Sequence, residues 1–245
     1  MKQKKLKITA IVLAAVLLVC CGAVGIYAAD YYRMDLPAAQ AMLNDNAVDV
    51  SQYTGSSNRA DFVPKQANIG FIFYPGGKVE YTAYAPLMRA LAEQGILCVI
   101  PKMPLNLAVL DVDAAEEILE LYPEIDTWYI GGHSLGGSMA ASFAAKSDQF
   151  DGLILMASYS TADLSERDLQ VLSVYGTEDG VLNMEKYEES LPNLPDHTET
   201  FLIDGGNHAQ FGSYGEQDGD GCASITPEKQ LELTVMAITE WMFAS

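Results

Sequence analysis

The chain has 245 residues, 49% of them hydrophobic, with 33 acidic residues against 14 basic ones and a formal net charge of −19. That length and apolar content suit one buried domain of roughly 200 residues plus a short appendage, and they exclude general disorder. Four of the basic residues fall among the first seven, so the remainder is more acidic still, which argues against nucleic acid or another polyanion as partner.

From Ile8 to Ala29 the chain carries no charge. As a helix this run spans about 33 Å, close to the roughly 30 Å of bilayer hydrocarbon. Lys2, Lys4, Lys5 and Lys7 precede it, and Asp30 and Asp35 follow. The positive-inside bias therefore predicts a single-pass protein of the cell membrane, its N-terminus cytoplasmic and its body extracytoplasmic. A cleaved signal peptide has a shorter apolar region and small residues at −3 and −1, registers that Ile26 and Tyr27 spoil. An uncleaved anchor over residues 1–29 is the favoured reading. Cys20 does not make a good lipoprotein site, because Val19 stands where a small residue is needed.

Residues 30–47 read as a helical or irregular connector, and residues 48–245 as one domain. Val48–Tyr53 and Ala60–Pro64 have the look of two short strands. Ile69–Tyr74 is a continuous apolar run ended by Pro75-Gly76-Gly77, the pattern of a buried parallel strand. A helix follows over Ala83–Gln94, closed by Gly95. The alternation continues with strands at Ile96–Ile100, Thr127–Gly131, Gly152–Ala157, Gln170–Tyr175 and Thr198–Ile203. Helices are expected over Asp111–Tyr122, Leu135–Lys146 and Pro227–Phe243. Strands separated by helix-length segments predict an α/β fold, a mostly parallel central sheet with helices on both faces.

Outside the apolar run the thiols are Cys98 and Cys222, too few for a disulfide framework. The three histidines are scattered and no Cys-x-x-Cys occurs, so neither a metal nor another cofactor is expected. Gln217-Asp218-Gly219-Asp220-Gly221 lacks the ligand spacing of a calcium loop and reads as a surface turn.

Gly132-His133-Ser134-Leu135-Gly136-Gly137 sits between an expected strand and a helix rich in small residues. A serine on so tight a turn needs glycines on both sides, because the backbone there excludes bulk while the hydroxyl is presented above the sheet. Ser134 is the candidate nucleophile, and the N–H of Leu135, at the helix start, is a natural oxyanion donor. Serine needs a base, and His208 follows the last strand in a glycine-rich turn. His133 adjoins the nucleophile and reads as structural, while His197 lies in a solvated loop. Asp179, just beyond the strand Gln170–Tyr175, is the candidate acid that orients the histidine, with Glu178 and Asp204 as rivals.

These segments resemble the α/β-hydrolase superfamily, in particular its small lidless members similar to the dienelactone hydrolases. The resemblance rests on Tyr74-Pro75-Gly76-Gly77, Gly132-His133-Ser134-Leu135-Gly136-Gly137, Gly176-Thr177-Glu178-Asp179-Gly180 and Gly206-Asn207-His208-Ala209-Gln210-Phe211-Gly212. It covers about residues 48–244, and it implies the chain order Ser134, Asp179, His208. It also implies a second oxyanion donor in the loop after the first core strand, Gly77, with Lys78 as the alternative. Dienelactone hydrolases carry cysteine where this chain has Ser134, so their lactone substrate does not transfer. Only a short segment separates the strands near Ala157 and Gln170, which leaves no room for a cap domain. The expected substrate is a small carboxylic ester or related acyl compound, with Tyr74, Tyr81, Tyr84, Tyr159 and Phe211 as candidate lining. Acyl transfer by the same residues, and a tethered binding protein of the same fold, are the competing functions.

Overall fold

The computed structural model describes residues 13, 15–19, 22, 24–55 and 57–244. Two compact units result, Met1–Tyr31 and Tyr32–Ser245. In the first, residues 24–29 are helical, and Leu18 and Ile26 are each 75% exposed. Much of the expected anchor at residues 8–29 lies outside the described residues, and among the described residues no helix is long and apolar enough to cross a membrane.

The second unit is built on eight strands: β1 (Val48–Tyr53), β2 (Arg59–Pro64), β3 (Ile69–Tyr74), β4 (Ile96–Pro101), β5 (Thr127–His133), β6 (Gly152–Met156), β7 (Gln170–Gly176) and β8 (Glu199–Ile203). Their spatial order is β1-β2-β4-β3-β5-β6-β7-β8. β1 pairs antiparallel with β2, and β2 with β4, while every other pairing is parallel. The turn from Tyr53 to Arg59 is too short for a crossover, so that pair must be antiparallel.

Six helices accompany the sheet: α1 (Leu36–Ala41), α2 (Ala85–Glu93), α3 (Ala114–Leu121), α4 (Leu135–Ala144), α5 (Met184–Ser190) and α6 (Pro227–Ala244). Side chains alternate across each strand, so the sheet has two buried faces. Phe71 and Phe73 pack with Leu87, Met88 and Leu91 of α2 and Ile238 and Trp241 of α6. Ile72 and Tyr74 face the other way, against Ala115 and Ile118 of α3 and Ala140, Ala141 and Ala144 of α4. Each fully buried Phe or Ile contributes roughly 2 kcal/mol of transfer free energy.

Some boundaries move for local reasons. The first turn of the helix expected from Ala83 is a 3₁₀ turn, Tyr81–Tyr84, and α2 begins only at Ala85, with Pro86 in its first turn. The helix expected from Asp111 begins at Ala114, where the Tyr74 hydroxyl accepts the Ala115 N–H at 2.9 Å. α5 has a polar sequence with no apolar period to announce it; it buries Tyr187 and Ser190, and the Asn183 side chain caps it by accepting the Lys186 N–H. Residues 157–169 contain neither helix nor strand, so nothing regular stands over the sheet edge there.

Candidate active site

Ser134 joins β5 to α4 with φ 53° and ψ −123°, a conformation that costs a non-glycine residue about 1–3 kcal/mol. Neighbouring hydrogen bonds hold it there. The Ser134 N–H donates to Met156 O at 2.9 Å, and its carbonyl accepts from the Ser158 hydroxyl at 2.7 Å. The glycines of the motif have steric causes. A Cβ on Gly132 would lie 2.5 Å from the Tyr74 carbonyl oxygen, and one on Gly136 would overlap the same carbonyl. β3 and α4 approach too closely for any side chain at either position.

The loops after β7 and β8 are laced together. Thr177 N–H donates to Ile203 O at 3.0 Å and Glu178 N–H to Gly206 O at 2.8 Å. This brings Asp179 to His208: Oδ2 lies 2.8 Å from Nδ1, with both side chains nearly inaccessible to solvent, at 2% and 1%. The second carboxylate oxygen accepts from the N–H groups of Val181 at 2.8 Å and Leu182 at 2.7 Å. Glu178 and Asp204 are exposed, and neither meets the imidazole. His197 is exposed as well.

His208 Nε2 is buried without a hydrogen-bond partner among the described residues. No hydrogen bond therefore joins it to Ser134, yet both residues line one cleft of about 240 Å³, together with Leu135, Tyr159, Val181 and Leu182. A larger cavity, about 290 Å³, lies behind Phe211 and includes neither Ser134 nor His208 in its walls. Of the five aromatic residues considered as lining, Tyr159 faces the cleft, while Tyr74, Tyr81, Tyr84 and Phe211 belong to the buried core.

Gly77 and Leu135 are neighbours, since a Cβ on Gly77 would lie 3.1 Å from Leu135 Cδ2. Neither N–H has an acceptor among the described residues. The Lys78 N–H, by contrast, donates to Asn106 O at 2.8 Å, and the Gly76 N–H donates to the Tyr84 hydroxyl at 3.0 Å.

His133 is wholly internal. Its Nδ1 lies 2.8 Å from the Tyr84 hydroxyl. That hydroxyl already accepts from Gly76, so its proton goes to Nδ1, which makes His133 the Nε2–H tautomer, with Nε2 buried and without a full hydrogen bond among the described residues. Burial holds His133 well below the ordinary imidazole range, the nearby charge of His208 adds to this, and the His208 backbone acts in the opposite sense without making a full hydrogen bond.

Two residues that the sequence did not single out support the imidazole. Asp220 accepts four backbone N–H groups: Gly180 at 3.0 Å, His208 at 3.3 Å and Gly221 at 2.8 Å on Oδ1, and Ala209 at 2.8 Å on Oδ2. It fastens the Asp179 loop to the His208 loop. Gln230 of α6, fully buried, accepts the Asn207 N–H at 2.9 Å and donates to the Asn207 carbonyl at 2.8 Å. Asp220 lay within the segment read as a surface turn, and its partners are distant enough that only the folded chain reveals them. Among the described residues no cluster of His, Cys, Asp or Glu is arranged to hold a metal ion.

The sequence matches the Alpha/beta hydrolase family over residues 70–232, well over half of the chain. The chain belongs to that family. Its fold is similar to that of a dienelactone hydrolase from Anabaena variabilis, at TM-score 0.60 and 13% identity, covering 80% of this chain and 99% of the other. Est1E from Butyrivibrio proteoclasticus is similar at TM-score 0.58 and 14% identity, over 81% and 98% of the two chains. Alpha/beta hydrolase domain-containing protein 10 from mouse is similar at TM-score 0.54 and 14% identity, over 81% and 99%. No curated protein matches the chain.

Proposed function

We propose that this α/β hydrolase is a serine hydrolase of small carboxylic esters or related acyl compounds. The observation that carries the reading is the Asp179–His208 pair at 2.8 Å, whose outer imidazole nitrogen is unpartnered and shares a cleft with Ser134. Asp179 accepts from Nδ1–H and leaves Nε2 as the basic atom. Bound substrate brings the Ser134 hydroxyl onto that nitrogen, since such contacts tighten in the substrate complex. Ser134 Oγ attacks the acyl carbon as its proton passes to Nε2. The Leu135 and Gly77 N–H groups receive the developing oxyanion, aided by the N-terminus of α4. His208 returns the proton to the departing alcohol, and water, deprotonated by His208, then releases the acid. The mechanism calls for no cofactor.

The apolar run at residues 8–29 serves in this reading as a membrane tether, supported by its length, its lysine-rich flank and the exposure of Leu18 and Ile26. Detergent-solubilised full-length protein tests the activity: a fluorophosphonate probe labels the wild type, and Ser134→Ala abolishes both labelling and cleavage of p-nitrophenyl acetate. A folded wild type that neither labels nor cleaves favours the binding-protein reading.

A further inference from the structure

We propose that residues 32–35 form a strap that positions the oxyanion loop and the loop after His208 relative to each other, with Tyr32 and Asp35 as positioning residues. At one end, the Tyr32 N–H donates to Lys78 O and the Tyr32 carbonyl accepts the Glu80 N–H, each at 2.8 Å, which makes a short parallel bridge to Val79. The Met34 N–H adds a bond to the Glu80 carboxylate at 3.0 Å. At the other end, the Asp35 N–H donates to Ser213 O at 2.9 Å, and the Ser213 hydroxyl donates to the Asp35 carboxylate at 2.7 Å. The Tyr32 ring lies 5.5 Å from the Tyr214 ring, and its hydroxyl accepts the Asp218 N–H at 3.2 Å.

The strap therefore bonds to the residue after Gly77 and to the segment that follows His208. Lys78 has φ 59°, and a non-glycine residue keeps such a conformation only where its surroundings over-determine it. Its two peptide partners are Asn106, which accepts its N–H, and Tyr32, which donates to its carbonyl. Without the strap the Lys78–Val79 peptide, next after the one that carries the Lys78 N–H, loses the bond on its carbonyl that helps hold Lys78 in this conformation. The family match begins at residue 70, so the strap lies outside the matched region. The chain just beyond the expected anchor thus acts as part of the site rather than as a passive tether. The kinetic consequence rests on the hydrolase reading above, whereas the structural one does not.

The test uses full-length protein in detergent. Asp35→Ala should lower kcat about tenfold with KM changed less than about twofold, the signature of misplaced reacting groups. Asp35→Asn, which keeps an acceptor oxygen, should restore most of it. Tyr32→Ala leaves the α1 cap intact and should act like Asp35→Ala, so the test survives if the latter misfolds. Asp45→Ala removes a comparable loop cap and the ion pair to Arg89 far from the cleft, and should leave kcat unchanged. Hydrogen exchange gives a readout free of any assumption about activity: amides in residues 77–80 and 209–218 should exchange about tenfold faster in Asp35→Ala and Tyr32→Ala. Unchanged exchange in both loops overturns the strap, whether or not the protein hydrolyses esters. An equal loss of kcat in Asp45→Ala, or no rescue by Asp35→Asn, overturns its positioning role.

Discussion

The rings of His133 and His208 lie 4.3 Å apart, inclined at 49°. Two imidazoles this close and this buried cannot both carry charge at moderate cost. Burial is the main cause that keeps His133 neutral, and the proximity of His208 opposes a charge there as well, while His208 has the Asp179 carboxylate beside it. Tyr84 and Phe211 occupy other sides of His133, with ring centroids at 5.7 Å in each case. The motif histidine is thus a neutral support under the proposed base, and it links that base through Tyr84 to the Gly76 N–H.

A pH dependence of stability follows. The folded pKa of His133 lies below its unfolded value of 6.5, so acidification puts protons on the unfolded chain first. Its contribution is complete above pH ~6.5 and declines as pH falls below that, by up to about 1.4 kcal/mol per pH unit. His133→Gln keeps an acceptor for Tyr84 but does not titrate. Urea midpoints measured at pH 7.5, 6.5 and 5.5 should fall less steeply in that variant than in the wild type.

Asp179 and Glu178 are adjacent in sequence but differ in geometry, because only Asp179 reaches the imidazole. Asp179→Asn should reduce kcat on the order of 10⁴-fold, since the neutral amide neither fixes the tautomer nor stabilises the imidazolium. Glu178→Gln should remain within about twofold of wild type. Steady-state kinetics with p-nitrophenyl acetate separates them, and the reverse ranking would reassign the acid.

Asp220 carries no chemistry in the proposed mechanism, yet it ties three backbone donors of the acid and base loops, as well as the N–H of Gly221 beside it. Asp220→Ala should destabilise the protein by roughly 2–4 kcal/mol and lower kcat by about one to two orders of magnitude through loss of His208 alignment. Asp220→Asn should fall between, as one oxygen still accepts. Thermal melts and kcat measured on the same preparations test this together.

The cleft of about 240 Å³ is small and is walled by Tyr159, Val181 and Leu182. Short acyl groups should therefore be preferred, with p-nitrophenyl acetate or butyrate exceeding the octanoate by about tenfold or more in kcat/KM. Leu182→Ala should move that preference toward longer chains. An unchanged chain-length profile in this variant would place the acyl group elsewhere.

Much of the fold was legible in the chain because its determinants are local. Apolar runs such as Ile69–Tyr74 and Gly152–Ala157, punctuated by glycine and separated by helix-length segments, leave few alternatives to a parallel sheet. The glycines around Ser134 were legible for a related reason: a tight strand-to-helix turn writes its steric demand into adjacent positions. The polar helix Met184–Ser190 was not, since its few buried side chains set no period and its start depends on the Asn183 cap.

For the candidate site, sequence alone determined residue types and order: a serine on a strained turn, an acid beyond a later strand and a histidine beyond the last one. Tertiary structure decided between neighbours, bringing Asp179 rather than Glu178 or Asp204 to His208 and engaging the Lys78 N–H while leaving that of Gly77 without an acceptor. It also supplied the parts that no motif announces, Asp220, Gln230 and the strap from Tyr32 to Asp35. Those act through hydrogen bonds between segments up to 186 positions apart. Local sequence encodes backbone conformation, but which distant donor meets which acceptor is fixed only when the packed sheet sets its loops side by side.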